Sequence, residues 1–287
     1  MYRLALALTA LVASAQVHMF NKDQMVQYTS KNPYPRFEDG RPKVPDEVLE
    51  RMKGLSVEEV WSVLNESGYK NTYAGDFIQL HSGMKLIGRA VTAQFMPARE
   101  DVMEVEDKAS LERGWAKSEH QRVIDQLQPG DVLVADLFSK IDGGTLVGDN
   151  LATAILSATG NGFIVDGAIR DLEGIFPMKM NIFYRGVHPS AVRDVMLTGL
   201  NVPIRIGTAV VMPGDIVFGD RTGVYFVPPH LADKILKRAD ETHIHDEWTK
   251  DKFLKGRYKS TDLYPTPKDP AMKKEYEDYK KKRMNLQ

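Results

Sequence analysis

The chain of 287 residues contains no cysteine. This excludes disulfides, thiol catalysis, cysteine-ligated zinc and a lipid-modified cysteine, and it is compatible with either redox compartment. No stretch reaches the roughly 18 consecutive apolar residues that a membrane span needs. Neither sign of charge dominates: 38 Lys and Arg stand against 39 Asp and Glu, a net charge of −1. The electrostatic footprint of a nucleic-acid binder is therefore missing. GxGxxG and GxxxxGK[ST] are both absent, and Gly143-Gly144 alone is a weak phosphate-loop signal, so nucleotide binding has no support. There is no internal repeat.

What remains is ordinary globular composition, 43% hydrophobic and 27% charged, long enough to bury a core without staples and to form one large or two modest domains. Residues 1–15 read as a secretory signal peptide. Arg3 supplies the positive start, Leu4 to Val12 the short apolar segment, and Ala13-Ser14-Ala15 the small-residue cleavage site. The expectation is export to a periplasm or beyond the cell.

Residues 16–54 read as an N-terminal arm and helix. Pro33, Pro35, Pro42 and Pro45 argue against continuous helix or central strand. Val48, Met52, Leu55, Val57, Val60, Trp61 and Leu64 mark one or two amphipathic helices, and Ser56 with Glu59 forms a capping-box signature. Strands are expected over Met84–Phe95, Asp131–Asp136, Asn181–Tyr184, Val202–Val211 and Ile216–Val227. Residues 99–117 are charged and resemble an insertion; Ser118–Leu127 reads as helix. Gly143-Gly144 reads as a flexible turn and Arg185 to Pro189 as a loop. A helix opens at His230 and runs to about Ala239. Residues 241–287 form a charged extension containing a further helix, Lys273–Arg283. Within it, His243 and His245 are two apart and do not share a helical face as metal ligands at i and i+4 do.

The chemistry concentrates between Gly148 and Gly174. Gly148 permits a tight turn, and Asp149 and Asn150 suit a helix start. Leu151, Ala154, Ile155 and Ala158 recur at helical spacing, and Gly160 and Gly162 end the helix. Phe163-Ile164-Val165 reads as a buried strand and Asp166-Gly167 as a turn. Arg170 and Asp171 then emerge close to the helix start. A helix N-terminus can hold a carboxylate, so the backbone at Asn150 and Leu151, with Arg170, is the expected substrate-binding set. Arg170 offers a planar fork for an anion or developing oxyanion. Asp171 and Asp149 are hard oxygen donors suited to Mg²⁺ or Mn²⁺. The plainer reading keeps Asp149 as a cap and Arg170-Asp171 as a surface pair. Arg185, His188 and Asp136 have similar double readings, as site residues or as ordinary loop and capping residues.

The order of motifs resembles the RraA-like family, which includes regulator of ribonuclease activity A and metal-dependent 4-hydroxy-4-methyl-2-oxoglutarate aldolases. The resemblance is carried by GRAVTA at 88–93, QPGDVLVAD at 128–136, GDNLA at 148–152, VDGAIRD at 165–171, RGVHP at 185–189 and PGDIVFGDRTGVYFVP at 213–228, over roughly residues 55–235. It implies a layered β/β/α swivelling-type α/β domain at 55–240, assembled as a trimer or a dimer of trimers; the extended N- and C-terminal arms lie outside the resemblance. It also implies that Asp171 ligates the metal, that Arg170 binds the pyruvyl oxygen, and that Asp149 helps hold a metal-bound water. The implied activity is a divalent-metal-dependent lyase acting on a small 2-oxo acid and releasing pyruvate, by retro-aldol cleavage or decarboxylation. A lysine imine is the enzymatic rival. The alternatives are a non-catalytic binding or regulatory protein, and a sequestering protein for an extracellular acid. The resemblance departs at one position: the aldolase pattern has a further acid three residues after Asp171, where this chain has Gly174, with Glu173 the nearest acid.

Overall fold

The computed structural model describes residues 17–284, so the expected signal peptide lies outside the described residues. Three apolar runs become adjacent parallel strands: Leu86–Pro97, Asp131–Val147 and Phe163–Ile169. Their near-continuous apolar character follows from burial on both faces, which removes the alternation of a half-exposed strand. Ile182–Tyr184 extends the parallel set. From edge to edge the sheet runs Tyr73–Ala74, Val224–Val227, Ile216–Gly219, Leu86–Pro97, Asp131–Val147, Phe163–Ile169, Ile182–Tyr184 and Ile78–Gln79. Val195–Leu200 pairs antiparallel with the far half of Leu86–Pro97.

The two faces are covered differently. On one, Val91, Leu133, Ala135, Phe163 and Val165 pack with Ala152 and Ile155 of the helix Asp149–Thr159. On the other, Ala90, Val132, Val134 and Ile164 pack with Ile204, Ile206, Ala209 and Val211 of a separate two-stranded hairpin. The result is the layered α/β architecture expected, a helix layer and a hairpin layer on opposite faces of one sheet. A third cluster joins Ile87, Phe218 and Val227 to the helices Asp46–Met52, Val57–Glu66 and Ala232–Lys255.

Several local expectations are corrected. Asp166-Gly167 is not a turn: both residues lie inside the buried strand, Asp166 opposite Asp136 and Gly167 opposite Lys140. Gly143-Gly144 is part of a bulged strand rather than a flexible turn. After Asp136 the chain detours through left-handed Phe138 and Ser139, touches the ladder at Lys140, and detours again through Gly143-Gly144 before pairing at Thr145. Gly144 lies so close to the Lys140 carbonyl that no Cβ fits, so this glycine serves close approach. Residues 202–211 form the hairpin Ile204–Ile206 and Ala209–Val211, and a further strand spans Val195–Leu200 ahead of it.

Outside the sheet, the arm contains a helix, Lys22–Tyr28, ahead of its prolines. It is pinned to the body by Arg41, which donates two hydrogen bonds to Asp131 (2.7 and 3.0 Å); the two side chains are 1% and 0% exposed. The charged segment after residue 99 is helical over Glu100–Glu112. The helix expected from His230 instead spans Ala232–Lys255, because Ile244 and Trp248 continue the buried stripe of Ile235, Leu236 and Ala239.

Candidate functional site

The strand Phe163–Ile169 is buried along its whole length and delivers Arg170 and Asp171 at its C-terminal end. Arg170 N–H donates to the Val147 carbonyl (3.2 Å), which ties that end to the residue preceding Gly148. Asp171 is left-handed (φ 58°, ψ 42°), a conformation Asp tolerates better than most residues, and it turns the chain into the short helix Leu172–Ile175.

Two glycines mark the convergence. A Cβ at Gly148 would stand closer than 3.0 Å to Asp171 Oδ2 and 3.0 Å from Arg170 Nε. A Cβ at Gly174 would stand 2.8 Å from both Cβ and Oδ2 of Asp149. Asp149, Arg170 and Asp171 therefore meet around Gly148 and Gly174. The space that an acid at position 174 would need is taken by Asp149 itself.

Arg170 Nε lies 3.3 Å from Asp171 Oδ2, and the two side chains are 40% and 41% exposed, so the recess is open in the single chain. Asp149 Oδ1 accepts the Asn150 N–H (2.7 Å), and Oδ2 faces Gly174. That bond occupies the Asn150 donor. Leu151 N–H has no hydrogen-bond partner among the described residues, which leaves it available to an anion at the helix N-terminus.

One neighbour carried no sequence signal. His120 belongs to the helix Glu119–Ile124, which packs against Asp149–Thr159. Burial, and then the charge of Arg170, holds its imidazole below the ordinary histidine value. At neutral pH an uncharged imidazole therefore stands near Arg170. Beside it, burial pushes Glu119 up to about 7, although its Oε2 accepts the Leu197 N–H (3.0 Å).

Other candidates are committed elsewhere. Arg185 donates to Asp166 (2.6 Å) and to the Gly75 carbonyl (2.7 Å) and stacks over Phe77 at 3.8 Å, so it adds no free charge to the site. His188 lies beside the end of the Phe163–Ile169 strand; its backbone N–H donates to Ile169, and its Nδ1 is 2.9 Å from Ser190 Oγ. Asp136 accepts the Phe138 N–H (3.0 Å), the hydrogen-bonding role expected of it. His243 pairs with Glu59 at 2.9 Å, and His245 lies 3.6 Å from Asp246.

Among the described residues no cluster of three or more His, Asp or Glu side chains forms a metal cage. This does not suit a closed structural zinc site. Two carboxylates in an open recess suit Mg²⁺ or Mn²⁺, hard cations that bind through one or two carboxylates and complete their shell with water or substrate oxygens.

Fold and site together define a layered α/β protein with an acid–arginine recess at the C-terminal end of a parallel sheet. A family model described as RraA-like (Aldolase/RraA) matches residues 44–226, and the chain belongs to this family. A protein of Halalkalibacterium halodurans, provisionally named a 4-hydroxy-4-methyl-2-oxoglutarate aldolase, is 32% identical over 42% of this chain and 58% of its own length. Protein DlpA of Legionella pneumophila is 28% identical over 62% of this chain, an alignment that covers 27% of that longer protein. Among solved structures, Streptomyces coelicolor RraAS2, titled an unusual member of the RNase ES inhibitor RraA protein family, superposes with a TM-score of 0.60 at 26% identity, over 78% of this chain and all of that one.

Proposed function

We propose that this protein is a divalent-metal-dependent lyase that releases pyruvate from a 2-oxo acid. The observation that supports it most is the convergence of Asp149, Arg170 and Asp171 around two glycines, where a Cβ would intrude on the acidic groups. Several relatives in the family are also provisionally named as aldolases.

Asp171, with Asp149 alongside, would hold Mg²⁺ or Mn²⁺, which when bound supplies Lewis acidity for the keto and carboxylate oxygens of a pyruvyl unit. Arg170 binds the pyruvyl oxygen through its fork and stabilises the charge that develops there as the adjacent carbon–carbon bond breaks. The unpaired Leu151 N–H, at a helix N-terminus, receives the substrate carboxylate. Asp149 orients a water that takes the proton from the 4-hydroxyl in a retro-aldol cleavage. Decarboxylation uses the same enolate and needs no such proton. No lysine occurs between Gly148 and Gly174 to support an imine route. The open recess is consistent with completion by a second copy in a trimer.

The test is pyruvate release from oxaloacetate and from 4-hydroxy-4-methyl-2-oxoglutarate, with Mg²⁺ or Mn²⁺ and with chelator. Release that requires the metal is expected. A binding or regulatory role is the second reading, favoured by the missing acid at Gly174 and by the RNase inhibitor family of the Streptomyces structure. Absence of release from folded, metal-loaded protein with both substrates would shift the assignment to that role.

A further inference from the structure

The N-terminal arm builds a cavity of about 460 Å³ that the site above does not use. This volume suits a small organic ligand. The arm contributes Tyr28 through Asn32, which precede the segment matched by the family model. The body contributes Tyr69, Lys70, Asp215 and His230, among others. The cavity lies at the opposite end of the sheet from Asp171. Asp215 accepts the Ala90 N–H through its carbonyl, and Ala90 pairs with Val132 at the start of its strand, whereas Asp171 follows the far end of Phe163–Ile169.

Three features of the wall define what fits. The Tyr28 ring is stacked on Phe20 (centroids 4.8 Å apart, planes 7° apart) and is still 63% exposed, so its outer side offers a platform for a planar ring. Lys31 and Lys70 are the lysines of the lining and suit an anionic group. Asp215 is its one acid, 5% exposed; its Oδ2 accepts the Met212 N–H at 2.9 Å, and among the described residues no donor pairs with Oδ1. That oxygen can accept a hydrogen bond from a ligand. The wall is pre-formed, because Arg36 donates to Thr29 Oγ1 (2.7 Å), to the Thr29 carbonyl (2.8 Å) and to the Gly40 carbonyl (2.7 Å), and Tyr69 OH lies 3.2 Å from His230 Nε2.

We propose that this cavity is a second ligand site, distinct from the Asp171 site, for small hydroxyaryl carboxylates. The ring rests on Tyr28, the carboxylate faces Lys31 and Lys70, and the hydroxyl donates to Asp215. A saturated acid lacks the ring, and an unsubstituted aryl acid lacks the donor.

The test is saturation binding of 4-hydroxybenzoate to the full chain, followed by ligand-observed NMR and calorimetry, with benzoate and cyclohexanecarboxylate as comparison ligands. Saturable binding stronger than about 1 mM is expected. Tyr28→Ala or Lys70→Glu, both at exposed positions and therefore expected to fold, should each weaken it about tenfold or more. Benzoate and cyclohexanecarboxylate should bind more weakly, and oxalate with Mg²⁺ should not displace the probe. The proposal is overturned by absence of saturable binding, by binding unchanged in both variants, or by displacement with oxalate and Mg²⁺, which would place the probe at the Asp171 site. None of these readouts depends on lyase activity.

Discussion

Gly148→Ala isolates the site from the fold. The backbone at Gly148 has φ −108° and ψ −173°, extended geometry open to alanine, so no backbone strain is introduced. The new methyl would meet Asp171 Oδ2 inside 3.0 Å and Arg170 Nε at 3.0 Å, whereas ordinary contact begins at 3.4 Å. The Asp171 carboxylate is the end of its side chain and must retreat by more than 0.4 Å, the difference between those two limits, while the Arg170 stem, met at both Nε and Cγ (3.4 Å), must give by a few tenths of an ångström. A misplacement of about 1 Å can cost on the order of 10²-fold in rate, so a loss of about tenfold or more, at least ~1.4 kcal/mol in the barrier, is expected. Exchanging glycine for alanine at a helix N-cap costs only about 1 kcal/mol, a melting shift of about 2–4 °C in a chain of this size. The assay pairs Mn²⁺ titration and pyruvate release with thermal unfolding. Undiminished Mn²⁺ affinity and turnover in Gly148→Ala would show that Asp171 and Arg170 are not where the chemistry occurs.

The remaining predictions concern the same recess and its supports. Gly174→Asp, which restores the acid of the aldolase pattern, should lower Mn²⁺ affinity rather than raise it, because its Cβ displaces Asp149; a gain in affinity would contradict the geometry. Arg170→Met should raise the pKa of His120 in an NMR titration, since the Arg170 charge helps depress it; an unmoved pKa would separate the two residues. Glu119 stands at about 7 when folded against an ordinary 4.5, so its contribution is present at low pH and is lost as pH rises from about 4.5 through about 7. Partial exposure to solvent screens the effect below the full linkage value, and Glu119→Gln should flatten the stability profile over that window in chemical denaturation. Arg41→Ala leaves Asp131 buried without its partner and should cost about 3–5 kcal/mol in urea unfolding; a loss below ~1 kcal/mol would mean that the arm is not anchored there.

The sequence made the fold legible where burial leaves a simple trace. The runs Val132–Val134 and Phe163–Val165 announce strands because both their faces are covered, and left-handed Gly160 ends the site helix as its position suggests. Local signals failed where tertiary context overrules them. Asp166-Gly167 has turn chemistry, yet Asp166 is held in the strand by Arg185 and Ser139. Gly143-Gly144 looks flexible, yet Gly144 is needed because the bulged strand folds against its own backbone. At the site, Asp149, Arg170 and Asp171 are named by the resemblance that GDNLA and VDGAIRD carry, and their meeting point is legible as a strand end beside a helix start. His120 was not, because its closeness to Arg170 depends on how two helices pack, and its own segment shows only an amphipathic pattern. The meaning of Gly174 was also hidden. In sequence it is a missing acid; in three dimensions it is the gap that Asp149 fills.

The most direct measurement of the central claim is exchange of the methyl protons of pyruvate with D₂O, followed by NMR, because it reports the enolate without knowledge of the natural substrate. Exchange that requires Mg²⁺ or Mn²⁺ and is abolished in Asp171→Ala is predicted, with Arg170→Lys severely impaired. Folded, metal-loaded protein that produces no exchange above the buffer rate, or an Asp171→Ala variant that exchanges as fast as the unaltered protein, would contradict it.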